Sequence, residues 1–253
     1  MAKSKQYYIR KSHRYLGVFL GFQFLLWTIG GIYFSWSNMD EIHGDTTKKH
    51  TPYFSTHQQL VSPSDIIDSI RTYHKIDSLV SIQLIEILGK PVYQIRCIRN
   101  HEDTIHHTNM QHMMNHLAYA ETGIIRPPLS KEEASAVAQQ HFNGKPAIHK
   151  IEYITSTNSH HEYRENPLPA YAVTFDNDAK TTVYVASELG TVQKFRNNKW
   201  RIFDFLWMMH TMDYEERDNF SNLLLRAFSI LGLITIASGF WLFLITQKKK
   251  SIR

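Results

Sequence analysis

The stretch YLGVFLGFQFLLWTIGGIYFSW, residues 15–36, decides the layout of the chain. It holds no charged residue, and about 22 residues at ~1.5 Å of helical rise cover the ~30 Å hydrocarbon core of a bilayer. Trp27, Tyr33 and Trp36 gather in its second half, and Tyr33 and Trp36 suit the outer interface. The run is too long for the apolar part of a signal peptide, and no small-x-small cleavage site follows it. It therefore reads as an uncleaved anchor. A second apolar run, residues 223–245, is interrupted only by Arg226, which lies close enough to the end to snorkel into the headgroups.

Charge orients the two spans. Lys3, Lys5, Arg10, Lys11 and Arg14 precede the first, and Lys248, Lys249, Lys250 and Arg253 follow the second. Lys/Arg excess marks the cytoplasmic side, so both tails are expected inside and residues 37–222 outside. The layout expected is a basic tail (1–14), a transmembrane helix (15–36), a linker (37–60), an extracytoplasmic domain (61–197), an interfacial amphipathic segment (198–222), a second transmembrane helix (223–245) and a basic tail (246–253). Gly17 and Gly21 form a G-x-x-x-G pair, and Thr235 with Gly239 a similar small-residue pair. These could serve the two spans of one chain, a homodimer through the transmembrane helices, or neither.

Composition narrows the function classes. The formal charge of +5 is concentrated in the tails, whereas nucleic-acid binding calls for a basic stripe on a folded domain. The partner expected from composition is the lipid bilayer, with no nucleic acid. Cys97 is the one cysteine, which excludes an intramolecular disulfide and a multi-thiolate zinc site. It falls in a strand-like run, residues 92–98, on the face of Tyr93 and Ile95, and reads as a buried, inert thiol. No nucleophile motif, phosphate loop or nucleotide fingerprint is present.

The middle of the chain repeats itself. Ser62-Pro63-Ser64-Asp65 opens a helix with Ile66, Ile67, Ile70 and Tyr73 at helical spacing. Strand-like runs follow at 80–88, 92–98 and 116–120, and Glu121-Thr122-Gly123 closes the unit. Ser130 and Glu133, at capping-box spacing, then open a second helix through Ala134, Val137, Ala138 and Phe142. Runs at 148–155, 170–175 and 181–186 end in Glu188-Leu189-Gly190. An offset of 67 residues maps Ser64 onto Lys131 and Gly123 onto Gly190. Each unit (61–126 and 127–197) is expected to pack one helix on a small antiparallel sheet, an α+β arrangement. The connection Arg126-Pro127-Pro128-Leu129 is short and stiff, which favours a fixed mutual orientation.

These residues carry a resemblance. Tyr119-Ala120-Glu121-Thr122-Gly123 resembles the closing turn of the PepSY domain, and Val185-Ala186-Ser187-Glu188-Leu189-Gly190 resembles it less closely. Arg10-Lys11-Ser12-His13-Arg14-Tyr15-Leu16-Gly17 resembles the opening R-K-x-H-R-x-x-G of PepSY-associated transmembrane proteins. Phe205-Leu206-Trp207-Met208-Met209-His210 resembles the L-H element before a later span of that family. The resemblance implies a bacterial inner-membrane protein with two tandem PepSY-like units on the periplasmic side. It would be non-enzymatic, a binding or regulatory accessory module in peptidase regulation or in iron and siderophore handling, with a periplasmic protein or a siderophore as its partner.

Two further readings concern histidines. Larger members of that family include haem-bearing ferric-siderophore reductases. By that resemblance His13 and His210 are candidate axial ligands of haem b, although one chain separates them by roughly the ~30 Å hydrocarbon thickness. Residues 101–116 hold His101, His106, His107, His112 and His116 with Met110, Met113 and Met114. This segment reads as a polar loop between strands, or as a copper or zinc site through His107, His112 and His116, with His112 and His116 sharing a helical face at i, i+4.

Overall fold

A computed structural model describes residues 5–49, 53–55, 57–103, 108–217 and 219–250. It divides into a helical unit, residues 1–38 with 200–253, and an α/β unit, residues 39–199.

The helical unit is built on α1 (Lys5–Trp36) and α6 (Leu223–Lys250). They run antiparallel: Phe24 packs over Gly232, Phe19 against Phe228 (ring centres 5.3 Å apart), and His13 against Gly239. Their outward faces are apolar and bare, with Val18 76%, Phe22 68%, Leu233 69% and Phe240 68% exposed. In water such a surface would be costly. In a bilayer it is covered, and the helix ladder satisfies the backbone. At 32 residues α1 is longer than the apolar run read from the sequence, because it continues through the basic residues Arg10, Lys11 and Arg14.

Residues 198–222, expected as an interfacial amphipathic segment, open with a helix. Their helix α5 (Asn198–Thr211) packs along the second half of α1, where Phe34 meets Phe203 at 4.8 Å. Its final carbonyls are capped by α1. Gln23 Nε2 donates to Met209 O at 3.0 Å, and Trp27 Nε1 donates to His210 O at 2.9 Å. A helix end leaves its last carbonyls without intrahelical partners, and α1 supplies the donors.

In the α/β unit, two four-stranded antiparallel sheets follow one plan. The first contains β1 (Ser78–Ile87), β2 (Lys90–Asp103), β3 (Thr108–Tyr119) and β4 (Ile125–Arg126) in sequential order. The second contains β5 (Ile148–Ile154), β6 (Ala170–Phe175), β7 (Thr182–Ala186) and β8 (Thr191–Arg196), also in order. Each sheet is preceded by one helix, α3 (Pro63–Tyr73) or α4 (Lys131–Gln140). Ser62 caps α3 by accepting from Ser64 N, with Pro63 in the first turn. Ser130 and Glu133 form the reciprocal capping box of α4 that their spacing predicts.

Alternation sorts the faces. Ile66 and Ile70 of α3 cover Tyr93, Ile95, Ala118 and Ala120 of the first sheet. The opposite face of that sheet supplies Ile87, Val92 and Leu117 to a core shared with α4 and the second sheet, including Val137, Phe142, Val173, Phe175 and Phe195. Polar contacts join the halves: the buried Gln94 donates to Leu189 O at 2.6 Å, and Gln140 Nε2 donates to both oxygens of Glu86 at 2.9 and 2.8 Å. The two repeats thus pack as one body.

Part of the stretch expected as a linker belongs to this body. Residues 39–49 contain α2 (Met39–His43) with Ile42 buried, and Lys48 bridges to Phe142. Asn197 Nδ2 donates to Glu41 O at 2.8 Å.

Candidate functional site

Four places carry residues of functional interest. The first is the pair of closing turns. Gly123 N donates to Tyr119 O at 2.8 Å and Gly190 N to Ala186 O at 2.9 Å, with φ of 74° and 70°. Both glycines sit where a Cβ is strained. The surroundings differ. A Cβ on Gly190 would meet Ile87 Cδ1 at 2.5 Å, because this turn plugs into the shared core. A Cβ on Gly123 would meet nothing nearer than Val61 at 3.5 Å.

The second and third places are His13 and His210, and the structure does not bring them together. His13 Nδ1 shares a 2.7 Å hydrogen bond with Ser238 Oγ in the α1–α6 contact. The His210 ring lies among Trp27, Phe34 and Trp207, at centre distances of 5.8, 5.9 and 6.3 Å. Trp27 and His13 are fourteen positions apart on one helix, or ~21 Å of rise. One haem iron needs both axial nitrogens on opposite sides of a single atom, so His13 and His210 of one chain do not fit that group.

The fourth place is the His/Met segment, which is a correction to the sequence reading. Its described residues are strand rather than polar loop. These residues, 101–103 and 108–116, belong to the paired strands β2 and β3, in which His101 pairs with Met110, Arg99 with His112, Cys97 with Met114 and Ile95 with His116. His107 lies outside the described residues. His112 and His116 do share a face, but through the two-residue period of a strand. Four strand residues separate them by ~13 Å, where one helical turn would have brought them within ~6 Å. With metal–nitrogen bonds of about 2 Å, strand spacing does not bring His112 and His116 together on one ion as the helical spacing would have.

What His116 does meet is His74, which no local sequence pattern singles out. His74 is the C-terminal cap residue of α3 and is exposed. The two ring centres lie 5.2 Å apart. Nε2 of His116 is buried and has no hydrogen-bond partner. Burial, and secondarily the charge of His74, hold His116 below the usual histidine range, against the opposing pull of Glu188. The only sequence signal for the pair is that α3 ends at a histidine. Nothing in a separation of some forty residues says which strand lies beneath it. Cys97 is fully buried, its thiol pushed upward by burial and directed at Met114 O, 3.7 Å away. This is the inert thiol expected.

Residues 128–195, which hold α4, the second sheet and its closing turn, match the family described as the peptidase propeptide and YPEB domain, PepSY. The second unit is a PepSY domain. Two apolar helices, Tyr7–Trp36 and Leu223–Thr246, flank this PepSY domain in the sequence, consistent with a PepSY-associated transmembrane protein. The match does not extend over residues 61–126, but that unit repeats the helix, the four sequential strands and the glycine turn of the PepSY domain. No curated protein and no solved structure matches the chain.

Proposed function

We propose that the chain is a membrane-anchored accessory module that presents its PepSY domain and the companion unit to a protein partner on the periplasmic side of the bacterial inner membrane. The antiparallel pairing of α1 and α6 is the observation that carries this reading, because it returns both chain ends to one side. Those ends are the Lys/Arg-rich ones, so by the positive-inside rule they lie in the cytoplasm and residues 39–199 lie outside.

The role is binding or regulation rather than catalysis. The propeptide description of the family favours a peptidase as the partner. Iron or siderophore handling is the alternative process. The outer edge of β1 supports partner binding. No described strand pairs with it, it contains neither proline nor lysine, and Leu79 and Val80 are about half exposed. Such an edge accepts an extended segment through main-chain hydrogen bonds.

A photo-crosslinking residue placed at Val80 of the chain in its own membrane is expected to give one discrete adduct. Mass spectrometry should identify a peptidase, or, for the alternative, a component of ferric-siderophore uptake. Leu79→Lys should abolish the adduct, and a crosslinker at the buried Val183 should give none. Adducts at Val80 and Val183 alike, or none at either, would overturn the reading.

A further inference from the structure

The His74–His116 ring pair, with Met114 two positions before His116 on the same strand face, is left unexplained by the membrane layout and the PepSY fold. We propose that His74 and His116, joined by the Met114 thioether from the same strand face, bind a soft, imidazole-preferring metal ion, Cu(I), at the junction of the α3 C-terminus and β3.

Three observations meet there. The first is spacing. Two imidazoles that each hold a nitrogen about 2 Å from one ion place their ring centres roughly 5–6 Å apart, and these lie at 5.2 Å with planes inclined by 34°. The second is the buried Nε2 of His116, which has no hydrogen-bond partner. A buried ring nitrogen with no protein partner is available to a ligand, and here it belongs to a ring already paired with a second imidazole. The third is the donor set. Met114 precedes His116 by two strand positions and therefore lies on the same face. Two imidazoles with a thioether suit Cu(I) better than zinc or a hard cation. The Cys97 thiol opposite Met114 is buried and turned to the Met114 carbonyl, so methionine supplies the sulfur. The desolvation that favours neutral His116 also favours ligation, since only the unprotonated ring binds metal.

The arrangement differs from a His-rich tip that gathers metal without order. His74 comes from α3 and closes over a strand whose inner end is fixed in the core through Leu117 and Ala118. The ligands are therefore held by two packed elements, which a discrete site requires.

The test uses the full chain in detergent, with His101, His106, His107 and His112 changed to Asn to silence the outer hairpin. Anaerobic titration with Cu(I) against a competing chromophoric chelator should show one ion per chain, with nitrogen and sulfur scatterers in the X-ray absorption spectrum. In that background His74→Ala is expected to weaken Cu(I) binding about 100-fold or more. It should leave the copper-free melting curve unchanged, because His74 is exposed. Met114→Leu should remove the sulfur scatterer. No copper uptake by the background protein, or uptake indifferent to His74→Ala, would overturn the site. A sulfur scatterer that survives Met114→Leu would overturn the assignment of Met114.

Discussion

The PepSY domain and its companion unit have the same helix and the same four sequential strands, but they distribute length differently. In the first unit β1 and β2 are joined tightly through Leu88 and Gly89, both at positive φ (52° and 82°), the geometry of a type I′ hairpin turn. Its β2 and β3 then extend to 14 and 12 residues. In the second unit a long loop separates β5 from β6, and the next hairpin has strands of only 6 and 5 residues. The two differences offset each other, so one register of 67 residues fits both the helix start and the closing glycine. Helix start, inner strands and closing turn set the fold, and the remaining length is free to serve other ends. In the second unit it covers the back of the sheet, where Tyr163 is fully buried, stacked on Tyr184 at 4.6 Å, and donates to Pro167 O. In the first it extends the hairpin that carries the histidines and methionines.

The largest expected effect separates the shared core from the smaller one. Phe175→Ala removes a fully buried ring that contacts Phe142 at 4.7 Å, and should cost about 3–5 kcal/mol. Hydrogen exchange should then accelerate in both units, because Ile87, Val92 and Leu117 belong to that core. Ile70→Ala, confined to the α3 cluster, should accelerate exchange mainly in the first unit.

The two closing turns give the next contrast. Gly123→Ala should cost only the left-handed backbone penalty, about 1–2 kcal/mol. Gly190→Ala adds a collision with Ile87 and should cost about 2–4 kcal/mol in thermal or chemical unfolding. Equal costs would mean that the second turn does not plug the core.

The helix starts should differ less. Ser130→Ala breaks a reciprocal capping box and should cost ~1 kcal/mol, whereas Ser62→Ala loses one backbone cap bond, from Ser64 N, and an exposed hydroxyl contact with Ser64 Oγ, and should cost ~0.5 kcal/mol.

The smallest effect concerns pH. The folded protein holds His116 below its ordinary value, so near and below pH ~6.5 the unfolded chain binds the extra proton more readily. Stability of the first unit should therefore fall as pH drops through that range. His116→Leu should flatten this slope, as read from melting temperatures between pH 7.5 and 5.

Much of the fold was legible because the signals were local. The apolar runs, the Ser62 and Ser130 helix starts, and the glycine turns each state their own conformation. β8 was missed because Thr191-Val192-Gln193-Lys194-Phe195-Arg196 buries only Phe195 fully and reads as polar. The outer hairpin was missed because His, Met, Asn and Gln give no apolar alternation, so nothing in the sequence announces a strand or its register. Residues 39–49 read as linker because their burial depends on Phe142, Phe195 and Asn197, far along the chain. The His74–His116 contact is hidden for the same reason, and the i, i+4 histidine pair does not form because the described residues have the two-residue period of a strand.

The account rests on residues 39–199 standing on one side of a membrane and both chain ends on the other. With Cys97→Ser as background, single cysteines at Ser64 and at Ser251 can be treated with a membrane-impermeant maleimide on intact spheroplasts. Labelling at Ser64→Cys with Ser251→Cys protected until the membrane is permeabilised is the predicted result. Protection at Ser64→Cys together with labelling at Ser251→Cys would contradict it.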